Sequence, residues 1–194
     1  MPKLYIISGC NGSGKTTASY TLLPDLLNCR EFVNSDEFAK SLSPFDPSAA
    51  SVTASRYMLR KINDLLERMA DFAVETTLAT RSLLKIVKQA QALGYEVTVL
   101  YFWLNSPEMA IQRVKERVAA GGHNIPDPVV RRRYVMGLQY FFDAYIPAID
   151  RWILADNSKP PFSVVAEGSK ELIYIKDNEK YSLIWKIAHP NEEF

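Results

Sequence analysis

Eight residues near the start of the chain have the types and spacing of a loop that binds phosphate. They match the pattern G-x-x-x-x-G-K-[ST] at every fixed position. The glycines let the backbone approach a ligand closely, and the successive N–H groups can surround a phosphate. The lysine would reach the β- and γ-phosphates of a nucleotide, and the final hydroxyl would ligate Mg²⁺. The residues are Gly9-Cys10-Asn11-Gly12-Ser13-Gly14-Lys15-Thr16, followed directly by Thr17.

The flanks of this loop agree with the motif. Residues 4–8 form a short apolar run that is typical of a buried strand, and residues 17–23 can begin a helix. Strand, glycine loop and helix are the order that the motif requires. The alternative is a chance match in a glycine-rich turn, which the two correct flanks disfavour.

A carboxylate, Asp36, follows the next predicted strand at residues 31–34. Phosphoryl transfer depends on positioning, on charge stabilisation and on a base that orients the attacking hydroxyl. Asp36 could be that base and could reach the Mg²⁺ shell, because ligands of open α/β sheets bind beyond the carboxyl ends of the strands. The alternative is a helix cap, since residues 37–40 can begin a helix.

An acid and two hydroxyls, Glu75, Thr76 and Thr77, follow a third predicted strand at residues 72–74. A buried apolar strand that ends in such groups suits a polar ligand, so we expect them to contact the substrate together with Arg81. The alternative is that neighbouring hydroxyl residues only cap the next helix and that Arg81 is a solvated surface side chain.

Two helices around residues 106–145 are predicted to form a lid over the loop. Gly121 and Gly122 separate them and are expected to be a flexible joint, with His123 directly after them. Closing such a lid would exclude water from the reacting groups.

The lid carries five arginines, at positions 113, 117, 131, 132 and 133. Arginines there can neutralise the charge spread over a transferring phosphoryl group. Three consecutive side chains cannot all point inward from one helix, and the alternative for the whole set is a solvated charged face. We expect Arg117 and one of Arg132 and Arg133 to reach the site, and Arg113 and Arg131 to be surface charges.

The elements that must position these residues alternate between strand and helix. This order predicts an α/β fold of the P-loop NTPase type, with a doubly wound, mainly parallel five-stranded sheet. Residues 1–160 would form the main domain. Residues 161–194 change in character, and the alternation at 181–187 favours another strand. We therefore predict a small antiparallel β-hairpin or meander at 161–194, packed on the same domain.

Signatures of other nucleotide-binding classes are missing from the sequence. It contains no Asn-Lys-x-Asp stretch for guanine, and the fourth strand runs into Leu104-Asn105-Ser106 without a terminal carboxylate. The Mg²⁺-binding acid of motor and transport ATPases therefore has no obvious counterpart there. These absences favour a small phosphotransferase, in which Mg²⁺ is held by Thr16, the nucleotide and Asp36 through water.

Composition narrows the setting of the protein. The chain has 194 residues, a net charge of +1, 47% hydrophobic residues and two cysteines. The balanced charge gives no reason to expect nucleic acid or an anionic membrane as a partner. We predict a cytoplasmic protein for three reasons. No apolar run is long enough to span a membrane, and a strand is predicted directly after Met1-Pro2-Lys3, where a signal peptide would lie. The two cysteines do not suggest a disulfide framework.

The full set of motifs resembles the zeta toxin family of P-loop kinases, particularly its short, compact branch. The resemblance covers about residues 3–160 and extends well beyond the glycine loop. The motifs that carry it are the loop from Gly9 to Thr17, Asn34-Ser35-Asp36, Glu75-Thr76-Thr77-Leu78 with Arg81, Arg117 with Gly121-Gly122-His123 and Pro126, Arg132-Arg133-Tyr134, and Asp156-Asn157-Ser158.

The resemblance implies roles for individual residues. Characterised members phosphorylate the 3′-hydroxyl of the amino sugar in UDP-N-acetylglucosamine. By this likeness Asp36 is the general base, Lys15 binds phosphate, Glu75 and its threonines contact the substrate, and Arg117 stabilises the transferring phosphate. Asn157 would lie near the adenine of ATP. The family's second lid arginine falls near His123 unless Arg132 or Arg133 replaces it.

We therefore expect an ATP- and Mg²⁺-dependent kinase of a small-molecule hydroxyl, with UDP-N-acetylglucosamine as the leading acceptor. Alternatives are a kinase of another sugar, a nucleotide or a nucleic acid end, and a protein that binds ATP without transferring phosphate. The resemblance to a toxin family also implies a separate antitoxin protein as a partner of this chain.

Overall fold

The computed structural model describes residues 1–47, 49–122 and 124–191. Its centre is a seven-stranded sheet with the strand order β2-β3-β1-β4-β5-β6-β7. The first five strands in this order are parallel, whereas β6 and β7 pair antiparallel. The strands are β1 (Lys3–Ser8), β2 (Glu31–Val33), β3 (Phe72–Thr76), β4 (Glu96–Trp103), β5 (Arg151–Asp156), β6 (Ser163–Ser169) and β7 (Ile173–Ile175).

Helices cover both faces of this sheet. Alternate residues of β1 enter two separate cores: Leu4 and Ile6 lie in one, and Tyr5 and Ile7 lie in the other. Burial on both faces is typical of a parallel sheet with crossover helices. The helices are α1 (Lys15–Thr21), α2 (Ser35–Leu42), α3 (Ser51–Glu67), α4 (Leu84–Ala92), α5 (Pro107–Ala119), α6 (Asp127–Tyr140) and α7 (Asn178–Ala188), with π-helical continuations of α1 at Leu22–Leu26 and of α6 at Phe141–Tyr145.

The predicted α/β class and the mainly parallel sheet are confirmed. The sheet is larger than predicted, since β6 pairs directly with β5 and continues the sheet beyond its five parallel strands. Within the described residues, no helix is long and apolar enough to cross a membrane.

The prediction of a strand at residues 181–187 is wrong, because this segment lies in helix α7. Asp177 caps the helix by accepting a hydrogen bond from the Lys180 backbone N–H. Tyr181, Ile184 and Ala188 are buried, at the three- to four-residue spacing of a helix that packs against α6.

Candidate functional site

The phosphate-binding loop fills the turn between β1 and α1, and neighbouring elements hold its shape. Gly12 and Gly14 adopt positive φ angles of 80° and 83°. A Cβ at Gly12 would lie 2.5 Å from the carbonyl oxygen of Ala110, and a Cβ at Gly14 would lie 2.5 Å from Nδ2 of Asn157. The two glycines are therefore required both by the backbone conformation and by close contact with α5 and with the segment after β5. Gly9, with a φ of 136°, begins the loop directly after β1.

Groups that can bind an anion meet inside this loop. Lys15 is buried, and its Nζ donates a hydrogen bond to the Cys10 carbonyl at 2.9 Å. The N-cap of α1, Gly14, offers no side chain to cap the first N–H groups. Ser13 Oγ is buried and makes no hydrogen bond within the described part of the chain. Available donors around a buried ammonium group fit a phosphate.

Cys10 contributes to packing rather than to chemistry. The side chain is buried, and this burial raises the pKa of its thiol to about 11 despite the nearby charge of Lys15. The thiol is therefore protonated and unreactive at neutral pH.

Glu75 lies against the phosphate loop, because β3 pairs with β1 in parallel. Its Oε2 accepts hydrogen bonds from Thr16 Oγ1 at 2.8 Å and from Asn34 Nδ2 at 3.0 Å. Strand β4 ends at Trp103 without a carboxylate, whereas β3 carries Glu75 next to its last residue. Burial raises the pKa of Glu75 above its usual value, while the charge of Lys15 opposes the shift.

Asp36 occupies the first turn of α2 with its side chain exposed along the same cleft. The alternative that it caps this helix is wrong, because Asn34 is the cap. Asn34 Oδ1 accepts hydrogen bonds from the backbone N–H groups of Asp36 at 2.9 Å and of Glu37 at 3.2 Å. The Asp36 carboxylate is therefore available for other contacts.

The structure separates the five arginines that the sequence placed together. Arg117 on α5 and Arg133 on α6 line the cleft, and Arg133 Nη1 donates to Asn11 Oδ1 at 3.0 Å. Burial lowers the pKa of Arg133, and the nearby Asp36 carboxylate opposes this shift. Arg132 is exposed, and Arg131 pairs with Glu108 on the surface. Arg133 is thus the better-placed of the two candidates on α6.

Arg113 was expected to be a surface charge, and this expectation is wrong. Its Nη1 and Nη2 donate to the carbonyl oxygens of Asn157 at 3.0 Å and Ser158 at 2.9 Å. It also lines the cleft. The only signal in the sequence was its spacing of four residues from Arg117, which places both side chains on one face of α5.

The segment after β5 borders the phosphate loop on the opposite side from α2. Asn157 Nδ2 donates to the Ser13 carbonyl at 2.7 Å. Asp156 is buried and pairs with Lys180 of α7 at 3.0 Å. Burial alone would raise its pKa, but hydrogen bonds from Ser158 and Lys180 hold the pKa of this carboxyl below its usual value. Asn157 is therefore held by hydrogen bonds to the phosphate loop, to Arg113 of α5 and to the Trp103 carbonyl at the end of β4.

The remaining predicted substrate residues divide between the cleft and its surroundings. Thr76 and Thr77 line the cleft. Arg81 instead lies over the ring of Tyr140, 5.3 Å from its centroid, and is exposed. The prediction for His123 falls outside the described residues.

Gly121 and Gly122, where a flexible joint is predicted, form the hydrogen-bonded end of α5. The Gly122 N–H donates to the Arg117 carbonyl at 2.8 Å, and the Gly121 N–H donates to the Val118 carbonyl at 2.9 Å. With φ at 84° for Gly121, this is the pattern of a Schellman motif. A Cβ at Gly122 would lie 2.6 Å from Cγ of Arg117. Gly122 therefore leaves room for the arginine side chain.

The cleft that these groups line has a volume of about 1020 Å³. This lies at the upper end of the range for small-molecule sites, which run from about 300 to 1,000 Å³. The phosphate loop lies between Asn157 on one side and Asp36 on the other. The arrangement can therefore hold a phosphate-bearing ligand and a second, hydroxyl-bearing ligand at the same time.

Two sequence comparisons find relatives of this chain. The family model for Zeta toxin matches residues 1–145. An uncharacterised protein of Haemophilus influenzae is 30% identical over 132 residues, which are 68% of this chain and 92% of that protein.

Solved structures show the same fold. A chain of the AvrRxo1-ORF1:AvrRxo1-ORF2 complex with sulphate ions superposes with a TM-score of 0.79 at 20% identity. The match covers all of this chain but only 65% of that one, and the same complex has been solved with ATP. A chain of the PezAT toxin-antitoxin system of Streptococcus pneumoniae matches with a TM-score of 0.66 at 15% identity, over all of this chain and 80% of that one. The predicted resemblance to the zeta toxin family is confirmed. The predicted class, a P-loop kinase and therefore a phosphotransferase, is confirmed with it.

Proposed function

Because the chain belongs to the zeta toxin family, we propose that it transfers the γ-phosphate of ATP to a hydroxyl group of a small molecule. The observation that carries this proposal is the buried Lys15 of the phosphate loop in one cleft with the exposed carboxylate of Asp36. A protein that only bound ATP would not need a carboxylate at that position.

The residues that line the cleft have different roles in this reaction. The loop from Gly9 to Thr17 holds the nucleotide phosphates, and Asn157 lies toward the adenine. Asp36 accepts the proton of the acceptor hydroxyl as the oxygen forms its bond to phosphorus and the bond to ADP breaks. Arg117 and Arg133 stabilise the charge on the transferring phosphoryl group.

The oxygen donors near Thr16 fit Mg²⁺. Its hydroxyl lies 2.8 Å from the Glu75 carboxylate, and Mg²⁺ is commonly bound through one or two carboxylates together with substrate phosphates and water. These contacts favour Thr16 and Glu75 as its protein partners, with Asp36 at the edge of the shell. When bound, the ion would neutralise charge on the phosphate oxygens.

We take the acceptor to be the 3′-hydroxyl of UDP-N-acetylglucosamine. Support comes from family membership and from a cleft large enough for two ligands. Thr76 and Thr77 would contact this acceptor. With ATP as the donor, the reaction belongs in the cytoplasm.

A separate antitoxin protein that binds this chain is also part of the proposal. It is supported by the toxin-antitoxin complex among the similar structures. Copurification of the chain with the product of an adjacent gene would test it, and a chain that is harmless when expressed alone would speak against it.

Mass spectrometry of the purified protein with ATP, Mg²⁺ and a panel of UDP-sugars, sugars and nucleotides tests the kinase. We expect a gain of one phosphate on UDP-N-acetylglucosamine. Lys15→Ala should lower transfer at least about 10²-fold, because a charge that faces the β- and γ-phosphates is lost. Lys40→Ala, an exposed lysine on α2, is the matched control. Normal turnover by a folded Lys15→Ala protein would remove the kinase assignment.

A further inference from the structure

A second cavity, with a volume of about 260 Å³, opens beside the acceptor end of the cleft. It lies between α1, β2, α2 and α3, and four aromatic side chains line it: Tyr20, Phe32, Phe38 and Tyr57. We call this cavity the aromatic pocket. Asn34, Glu37 and Met58 line both the aromatic pocket and the main cleft, so the two spaces adjoin.

The rings of the aromatic pocket are unusually accessible for large apolar side chains. Tyr20 is 63% exposed, Phe38 is 37% exposed and Tyr57 is 46% exposed. Phe38 and Tyr57 stack with their centroids 5.3 Å apart, and Tyr20 meets Phe32 edge to face at 6.3 Å. A contiguous apolar surface that stays in contact with water marks a binding site more often than an isolated exposed residue does.

The pocket also has a polar rim. Glu37 supplies a carboxylate, and Lys61 supplies an ammonium group that pairs with Glu31 at 2.9 Å. Aromatic walls suit the two faces of a flat ring, and a carboxylate and an ammonium group suit the donors and acceptors on its edge. The volume lies below the range of whole-ligand sites, so the pocket fits one ring system and not a complete nucleotide.

We propose that the aromatic pocket binds a planar heteroaromatic ring carried by the phosphate acceptor, as in a nucleoside or a nucleotide sugar. This inference rests on the proposed function, since it places the ring on the Asp36 side of the phosphate loop and the adenine of ATP on the Asn157 side. An acceptor without such a ring would leave the pocket unfilled.

The pocket can be blocked without touching the proposed catalytic groups. Ser41 lines it on the exposed side of α2, so Ser41→Trp should fill the space with an indole ring. Leu42→Trp adds the same side chain at the next position, which is exposed outside the pocket, and is the matched control. Phe38→Leu is a second variant that removes one stacking wall while keeping an apolar side chain.

Uridine, cytidine and guanosine should be titrated into the protein with ADP present at saturation, so that the ATP site is filled. We expect at least one nucleoside to bind, ribose not to bind, and Ser41→Trp and Phe38→Leu to weaken binding about 5- to 100-fold, as the loss of base stacking does. Leu42→Trp should bind as the parent does. Absence of nucleoside binding, or equal binding by the parent and Ser41→Trp, would overturn the pocket assignment.

Turnover separates this inference from the proposed function. Relative to the parent, Ser41→Trp should lower kcat/KM for UDP-N-acetylglucosamine about 5- to 100-fold and leave kcat/KM for N-acetylglucosamine unchanged. An equal loss for both acceptors, or no loss for either, would overturn the pocket while the kinase stands. Failure to phosphorylate any acceptor would overturn the kinase, and with it the claim that the bound ring belongs to an acceptor.

Discussion

The two walls of the cleft are held in different ways. On the wall formed by strand ends, Lys15 is 7% exposed and bonds to its own loop, while Thr16 and Asn34 both bond to Glu75. On the wall formed by α5 and α6, Arg117 is exposed and Arg133 reaches the loop through Asn11. The comparison indicates that the first wall is organised before a ligand arrives, whereas the second supplies positive charge from surface helices.

Asp36→Asn tests the exposed carboxylate at the start of α2, beside the strand-end wall, and should have the largest effect among the following substitutions. We expect kcat to fall about 10²- to 10⁴-fold, because a positioned proton acceptor is lost. The melting temperature should hold, since Asn34 rather than Asp36 caps α2. Steady-state kinetics and thermal unfolding measure both, with Glu67→Gln as the control. A sharp fall in melting temperature with an unchanged rate per folded molecule would contradict the assignment.

Arg117→Ala tests the helical wall. An interaction made mainly in the transition state lowers kcat and kcat/KM together, and we expect a loss of about 10²- to 10³-fold in both. Arg133→Ala should give a weaker version of the same pattern. Arg132→Ala, at the exposed neighbouring position on α6, should match the parent. The comparison would fail if Arg117→Ala had the same kcat as the parent. It would also fail if Arg132→Ala lost more activity than Arg133→Ala.

Gly122→Ala sharpens the comparison by disturbing Arg117 without replacing it. The new Cβ would lie 2.6 Å from Cγ of Arg117 and 2.8 Å from its carbonyl oxygen, so the helix end must shift. We expect kcat to fall about 10- to 100-fold, as displacements near 1 Å do.

Gly121→Ala is the control for this substitution. A Cβ there would have nothing within 4 Å, although its φ of 84° strains any residue with a side chain. It should lower stability while leaving the rate per folded molecule close to that of the parent. Equal loss of kcat in both variants would show that the cap itself, and not the room left for Arg117, is what matters.

Arg113→Ala should have a smaller effect than Asp36→Asn, Arg117→Ala and Gly122→Ala. Arg113 bonds to the carbonyls of Asn157 and Ser158 and therefore positions the nucleotide side of the cleft. We expect KM for ATP to rise about tenfold with little change in kcat, because hydrogen bonds from a charged group are lost. Arg131→Ala, whose partner is Glu108 on the surface, should be silent. A fall in kcat with KM unchanged would show that Arg113 acts on the transition state, as is proposed for Arg117 and Arg133.

The sequence by itself determined the features that depend on neighbouring residues. The glycine loop could be identified because its function needs particular residues at fixed short spacings, and strand and helix order follows from local periodicity. Asp36 could be selected because it directly follows a strand, and in a parallel sheet strand ends meet at one edge.

Only the tertiary structure decided how distant segments meet. Glu75 reaches Thr16 because β3 lies beside β1. Arg133 rather than Arg132 faces the loop because the packing of α6 sets its rotation, and Arg113 acquires partners only when β5 ends beside α5. At residues 181–187 the apolar pattern fits both a strand and a helix, and packing against α6 selects the helix. Long-range contacts of this kind leave no local pattern in the chain, since they depend on which elements become neighbours after folding.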